Sequence, residues 1–206
     1  MSAKPRSAPT RHIGRPRAFD RDAALLAAMR TFWTQGYEGT SIQDLVQAMG
    51  VNKPSLYATF GCKEEIFREA IELYDRVEGR ATSQSLAQAR TAREAVETML
   101  RANARAYAVA EGPRGCMIVL SSLLGAPENA RVRAYLADNR LAGETLLQDR
   151  LAQGIAQGDL APTADIGQLA AFYTTVLEGL SIQARDGAGA DKLNTIIDAA
   201  MLAWPA

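Results

Sequence analysis

Five side chains able to bind an anion lie close together in the run GVNKPSLYATFGCKEEIF, residues 50–67: Lys53, Ser55, Tyr57, Thr59 and Lys63. They are ammonium, hydroxyl and phenol donors, with no nucleophile–base pair and no metal-ligand set among them. Donors of this kind suit phosphate oxygens and base edges. Lys53 and Ser55 fall at the start of a short helical stretch, the end that usually points at base edges, while Tyr57 and Thr59 can reach phosphates or pack on a thymine methyl. Thr40 and Ser41 place two hydroxyls and free amides at an earlier helix start, which suits a phosphate oxygen, and Lys63 does the same at a later one. The pattern also fits the solvated face of a small bundle, and spacing alone does not choose between the two.

The elements that must hold these groups are helical. Asp20 can cap a first helix in which Leu25, Leu26, Met29, Phe32 and Trp33 recur at three- and four-residue spacing, with Gly36 ending it. Thr40 or Ser41 caps a second, striped by Ile42, Leu45, Val46 and Met49, and Gly50 is a natural residue just past its end. The segment Lys53 to Phe60 follows, burying Leu56 and Phe60. Gly61 closes it, and another helix runs from about Lys63 to Gly79. Two short helices across a glycine turn are the sign of a helix-turn-helix, and a helix of this size fits a major groove roughly 12 Å wide.

Charge supports a division of labour. The 206-residue chain has no net charge, yet residues 1–63 carry nine basic and four acidic residues, and residues 64–206 carry 14 and 19. A head at +5 suits a polyanion and a body at −5 does not. A nonspecific nucleoid protein would be expected to have a basic body too. An enzyme finds no support either. His12 is the only histidine, and no phosphate-binding glycine loop follows a strand. No cofactor or metal is expected. No apolar run approaches the roughly 20 residues of a membrane span, and the N-terminal residues lack a secretory core, so a cytoplasmic protein is expected.

The run GYEGTSIQDLVQAMGVNKPSLYATFGCKEEIF, residues 36–67, resembles the DNA-binding signature of the TetR family of transcriptional regulators: Gly-Tyr, Thr-Ser, the glycine turn, Leu-Tyr, Phe and Lys-Glu occur in order. GRPRAFDRDAALLAAMRTFW, residues 14–33, is similar to that family's arm and first helix, and GLSIQARDGAG, residues 179–189, to the end of the eighth helix in one subgroup. The resemblance implies an all-α fold: an N-terminal three-helix helix-turn-helix domain, then a C-terminal helical ligand-binding and dimerisation domain. It implies a homodimeric repressor of double-stranded operator DNA, released by a small-molecule effector. The expected division is 1–18 a basic flexible arm, 19–63 the DNA-binding head, 64–80 a connecting helix and 81–206 the ligand-binding and dimerisation body. Family positions that touch DNA match Thr40, Ser41, Asn52, Lys53, Pro54, Ser55, Tyr57, Thr59 and Lys63, with Pro54 fixing backbone rather than reading a base. Arg15 and Arg17 resemble the family's basic arm, which lies along phosphates or enters a minor groove. An ordinary terminal tail has the same composition.

Beyond residue 80 helical segments are expected near 91–111, 116–124, 128–157, 165–185 and 190–203, separated by Gly- and Pro-containing turns. An effector pocket between them draws candidate linings from Met99, Asn103, Tyr107, Met117, Leu120, Ser121, Leu124, Phe172, Tyr173 and Leu177, all of which also suit plain core packing. Arg101 and Arg105 could meet an acidic ligand or stay solvated. The last two helices suggest a dimer surface of Val176, Gly179, Leu180, Gln183, Ile196, Ile197, Ala200, Met201 and Trp204.

The two cysteines offer a different signal. Cys62 stands where a capping Ser, Asp or Asn would usually precede Glu65, beside Lys63, a setting that favours a reactive thiol. Cys116 opens the apolar run CMIVLSSLL. A thiol-based redox-sensing repressor switched through Cys62 or Cys116 is therefore the alternative to a ligand-released one, although a poor cap and a small buried residue explain both cysteines equally well.

Overall fold

In the computed structural model, which describes residues 20–108, 112–121 and 123–205, the secondary structure is helical throughout. Helices α1 (Arg21–Gly39), α2 (Ile42–Met49), α3 (Lys53–Phe60) and α4 (Lys63–Val77) come first. They are followed by α5 (Arg80–Gln88), α6 (Ala92–Tyr107) and the single turn α7 (Met117–Leu120). A 3-10 turn (Pro127–Asn129) leads into α8 (Ala130–Gln157), and α9 (Ile166–Arg185) and α10 (Ala190–Met201) complete the body. Arg15 and Arg17 lie outside the described residues.

Caps and apolar spacing account for the first four helices. Asp20 accepts from the amides of Asp22 and Ala23 at the start of α1. At Gly36 the backbone turns left-handed, φ 73°, and breaks α1 before its last residues. Ala28, Phe32, Leu45, Leu56, Ile66 and Phe67 are fully buried and join α1 to α4 in one core. Its centre is aromatic: Phe32 and Tyr37 both meet the Phe67 ring at 5.0 Å between centroids, near edge-on.

Two expected boundaries moved. The helix expected near 116–124 is one turn long. Ser121, at its end, accepts the amide of Tyr37 at 2.8 Å, so this segment serves as a bridge between head and body instead of propagating. Helix α5 was not anticipated, because RATSQSLAQ has a weak apolar stripe and no side-chain cap; packing on α6 holds it. The residues 179–189, likened to the end of an eighth helix, close α9.

Head and body are tied at several points. Trp33 Nε1 donates to Gly115 O at 2.9 Å. Glu38 accepts from the Ala126 amide and from Asn129 Nδ2, and Arg185 donates to Thr34 O. A side chain at Gly36 would place its Cβ 3.0 Å from Ser121 O, so glycine permits both the turn and the close approach.

Candidate nucleic-acid interface and body cavity

The geometry begins with two caps. Ser41 Oγ accepts the Asp44 amide at 3.1 Å, and Asp44 Oδ2 accepts the Ser41 amide at 2.7 Å, closing a reciprocal box at the start of α2. These hydrogen bonds hold the Asp44 carboxylate below its ordinary pKa. Gly50 ends α2 in the left-handed region, φ 65°. Asn52 Oδ1 then caps α3 through the Ser55 amide at 2.8 Å. Leu45, Met49, Leu56 and Phe60 are buried, which fixes which side of α3 faces inward.

The opposite side is open. Asn52, Lys53, Pro54 and Ser55 are exposed, Tyr57 is 43% exposed and Thr59 half-buried. Lys53 Nζ stands 5.9 Å from the centroid of the Tyr57 ring, giving a paired cationic and aromatic surface. Lys63 is half-buried with Nζ 4.3 Å from the Tyr37 ring centroid. Burial lowers its pKa, and Glu38 and Asp44 pull it back up.

Thr40 needs correction. It is buried, and its hydroxyl donates to Gly36 O at 2.7 Å, so it braces the entry to α2 and has no free hydroxyl for a phosphate. Ser41, one residue on, is exposed.

In the body, a cavity of about 480 Å³ opens between α4, α5, α6, α7, α8 and α9, within the usual size for a small-molecule site. Met99, Asn103, Tyr107 and Leu177, four of the residues named for an effector pocket, line it. The other six expected linings do not. Leu124 is 87% exposed and Phe172 41% exposed. Tyr173 is buried against Trp204 and donates to Ala200 O at 3.3 Å. Met117, Leu120 and Ser121 face away from the cavity because a one-turn α7 turns Cys116, Ile118 and Val119 toward it instead. Arg101 is taken up by Glu97, Asn194 and Asp198, and Arg105 is exposed.

Sequence reasoning missed Tyr74, Asn139, Arg140 and Glu178 as cavity residues. Glu178 lies 3.9 Å from Arg140; burial raises its pKa and Arg140 opposes that. Of the proposed dimer residues, Leu180, Ile197, Ala200 and Met201 are buried inside the protomer and are withdrawn as contact residues. Val176, Gly179, Gln183, Ile196 and Trp204 remain partly accessible.

Residues 24–70 match the model of bacterial regulatory proteins of the tetR family. Over 193 residues, 93% of this chain and 92% of the relative, the sequence is 36% identical to the HTH-type transcriptional repressor ComR of Escherichia coli. The chain belongs to the TetR family of transcriptional regulators. Within that family it is also 30% identical to the E. coli repressor BdcR over 87% of its length and 86% of the relative's. Among solved structures, a cysteine mutant of the TetR regulator CifR, bound to 26-bp double-stranded operator DNA, is 46% identical. It covers 93% of this chain and all of its own, with a TM-score of 0.90. Membership bears out the all-α architecture with its N-terminal helix-turn-helix. Among the described residues, no helix of this TetR-family chain is long and apolar enough to cross a membrane.

Proposed function

We propose that this protein is a homodimeric, cytoplasmic repressor that binds double-stranded operator DNA and is released from it by a small-molecule effector. The observation that carries the reading is the outer face of α3. Its inner residues Leu56 and Phe60 are buried in the head, while Lys53, Ser55 and Tyr57 are exposed on its outer side, on a chain 46% identical to a regulator solved on operator DNA. Lys53 and Ser55 are assigned to base edges, and Tyr57 and Thr59 to phosphates or a thymine methyl. Ser41, Asn52 and Lys63 take phosphate contacts, with Arg15 and Arg17 following the backbone or minor groove.

The division 1–18 arm, 19–63 head, 64–80 connection and 81–206 body goes with this reading. Its support is the cavity, which lies wholly between α4 and α9 and touches none of the proposed DNA contacts. Thr82, Asn103, Asn139 and the Arg140–Glu178 pair supply polarity among Met99, Ile118, Val119, Leu147 and Leu177, a lining suited to a small effector with an apolar body and a few polar groups. Dimerisation is supported by the stripe Phe172, Val176, Gly179, Ile182 and Gln183 along α9, with Phe172 and Ile182 each more than 40% exposed. Two copies would place two α3 helices about 34 Å apart, one turn of DNA.

The test is binding to fluorescent DNA from upstream of the protein's own gene, with random DNA as competitor, across a salt series. Competitor-resistant binding that Tyr57→Ala abolishes supports the reading. Equal, steeply salt-dependent binding to both DNAs would replace sequence readout with a basic surface.

A further inference from the structure

Cys116 lines the body cavity and stays mostly covered by protein, and noncovalent effector binding gives its thiol no task. Its position is fixed, because its amide donates to Ser181 Oγ at 2.7 Å and Gly115 before it is left-handed, φ 76°. A Cβ on Gly115 would meet Ser181 O at 2.6 Å, so this stretch has no slack. Tyr74 from α4 and Tyr107 from α6 share the cavity wall with Cys116. Burial first, and then charge and hydrogen-bond interaction with Cys116, push both phenols well above their ordinary pKa. Two protonated phenols therefore accompany one thiol at neutral pH.

Two further observations narrow the chemistry. Asn103 is buried and lines the cavity, and its Nδ2 donates to Thr82 Oγ1 and Met99 O, so its amide offers no further proton to a ligand oxygen. No second cysteine lines the cavity, and Cys62 is exposed on the head, so a disulfide inside the cavity has no partner. A lone thiol with O–H donors, in a chamber whose apolar wall is broken by the Arg140–Glu178 pair, suits a carbon electrophile whose oxygen gains charge as it reacts.

We propose that Cys116 is a nucleophile that captures a small, neutral α,β-unsaturated carbonyl compound, and that the thioether formed there weakens operator binding. The proposal rests on the reading of this cavity as the effector site. The Sγ–C bond forms at the β carbon as the C=C π pair moves toward the carbonyl. Tyr74 and Tyr107 donate hydrogen bonds to the enolate oxygen. The thiol proton ends on the α carbon, and no oxidant or second reactant is consumed.

The product has a mechanical route to the head. Gly115, the neighbouring residue, accepts from Trp33 Nε1, and Tyr74 packs edge-on against the Trp33 ring at 4.9 Å. Bulk added at Sγ enters the cavity beside Tyr74 and the segment 115–121, the two parts of the wall that contact Trp33 of α1, so a shift of either reaches the head.

The experiment treats full-length reduced protein with methyl vinyl ketone, using its saturated analogue butanone as the unreactive control. Intact mass and operator affinity are read before and after. Cys62→Ser protein is expected to gain one adduct while folded and to lose affinity about tenfold, within the usual range of allosteric coupling. In the same Cys62→Ser background, Cys116→Ser and Cys116→Ala should gain no adduct while folded and keep their affinity. In the Cys62→Ser background, Tyr107→Phe should slow labelling several-fold while leaving untreated operator binding intact, which a purely packing role would not do. The proposal is overturned if folded Cys62→Ser gains no adduct although the unfolded chain does, or if it gains one and still binds operator as before. Failure of all untreated proteins to bind operator would instead sink the regulator reading, and the mass shift would still decide the nucleophile.

Discussion

The indole N–H of Trp33 donates to the carbonyl of Gly115 at 2.9 Å, joining the first helix of the head to the residue before the cavity cysteine. The same ring packs edge-on against Tyr74, itself a cavity residue. One side chain of α1 thus touches two walls of the proposed effector site. Replacing Trp33 by Phe keeps a ring and removes the donor. We expect a loss of about 1 kcal/mol in urea unfolding, the size of one neutral hydrogen bond. Operator affinity should change little, because Trp33 is not part of the α3 surface.

Tyr57→Ala should leave the fold intact, since the ring is 43% exposed, and alter stability by no more than about 0.5 kcal/mol. Operator affinity should fall by tenfold or more in fluorescence anisotropy. Lys53→Ala should in addition lower the slope of log affinity against log salt by about 1 if its ammonium meets a phosphate, and relax sequence preference if it meets a base. A Tyr57→Ala protein that binds operator normally would remove α3 from the interface.

Gly36→Ala tests the junction between head and body. A left-handed backbone costs an L-residue about 1–2 kcal/mol, and the new Cβ would stand 3.0 Å from Ser121 O. The expected result is a lower midpoint of thermal unfolding by several degrees. Gly50→Ala makes a useful comparison, because it shares the positive φ but has nothing within 4 Å. It should be the milder of the two.

Phe172→Glu combined with Ile182→Glu probes the α9 face. Both side chains are more than 40% exposed in the protomer, so the isolated fold should survive. On the proposed assembly, sedimentation equilibrium should show a dimer for the parent and a monomer for the variant, with loss of operator affinity in step. Unchanged assembly would move the dimer surface elsewhere.

The Ser41–Asp44 box predicts a pH signature. Asp44 is held below its usual pKa by hydrogen bonds from Ser41, so its contribution is present above the unfolded value of about 3.9 and is lost as pH falls through the lower folded value. Parent protein should be more stable than Asp44→Ala at neutral pH, and the two denaturation curves should converge in acid below that point. A gap that stayed constant down to low pH would mean the carboxylate does not carry the effect.

The head was almost fully legible in the sequence. Asp20 caps the helix it was read to cap, Ser41 is the one of the two candidate caps that closes onto α2, Gly50 ends α2 with a left-handed turn, and Leu45, Leu56 and Phe67 face inward, while the Asn52 cap of α3 was not read. Short helices with strong caps and narrow apolar stripes leave few packings open. The exception, Thr40, fell to a contact with Gly36 just upstream that depends on how α1 breaks. The body was legible as helices but not as a site. Its helices are apolar on more than one side, so period alone could not say that Leu180 and Ile197 belong to the protomer core while Phe172 faces out.

Alone, the sequence determined the local decisions: where each early helix starts, which residues form the small core of the head, and which donors lie on the outer face of α3. Capping, glycine conformation and apolar periodicity act over a few residues, so they can be read in order along the chain. Only the tertiary structure decided that Tyr74, Tyr107 and Cys116 share one cavity wall, that Arg140 stands beside Glu178, and that Ser121 bridges to Tyr37. Those relations join residues far apart in the chain. They follow from how helices cross and which face each one commits to the common core, an outcome of packing the whole body at once.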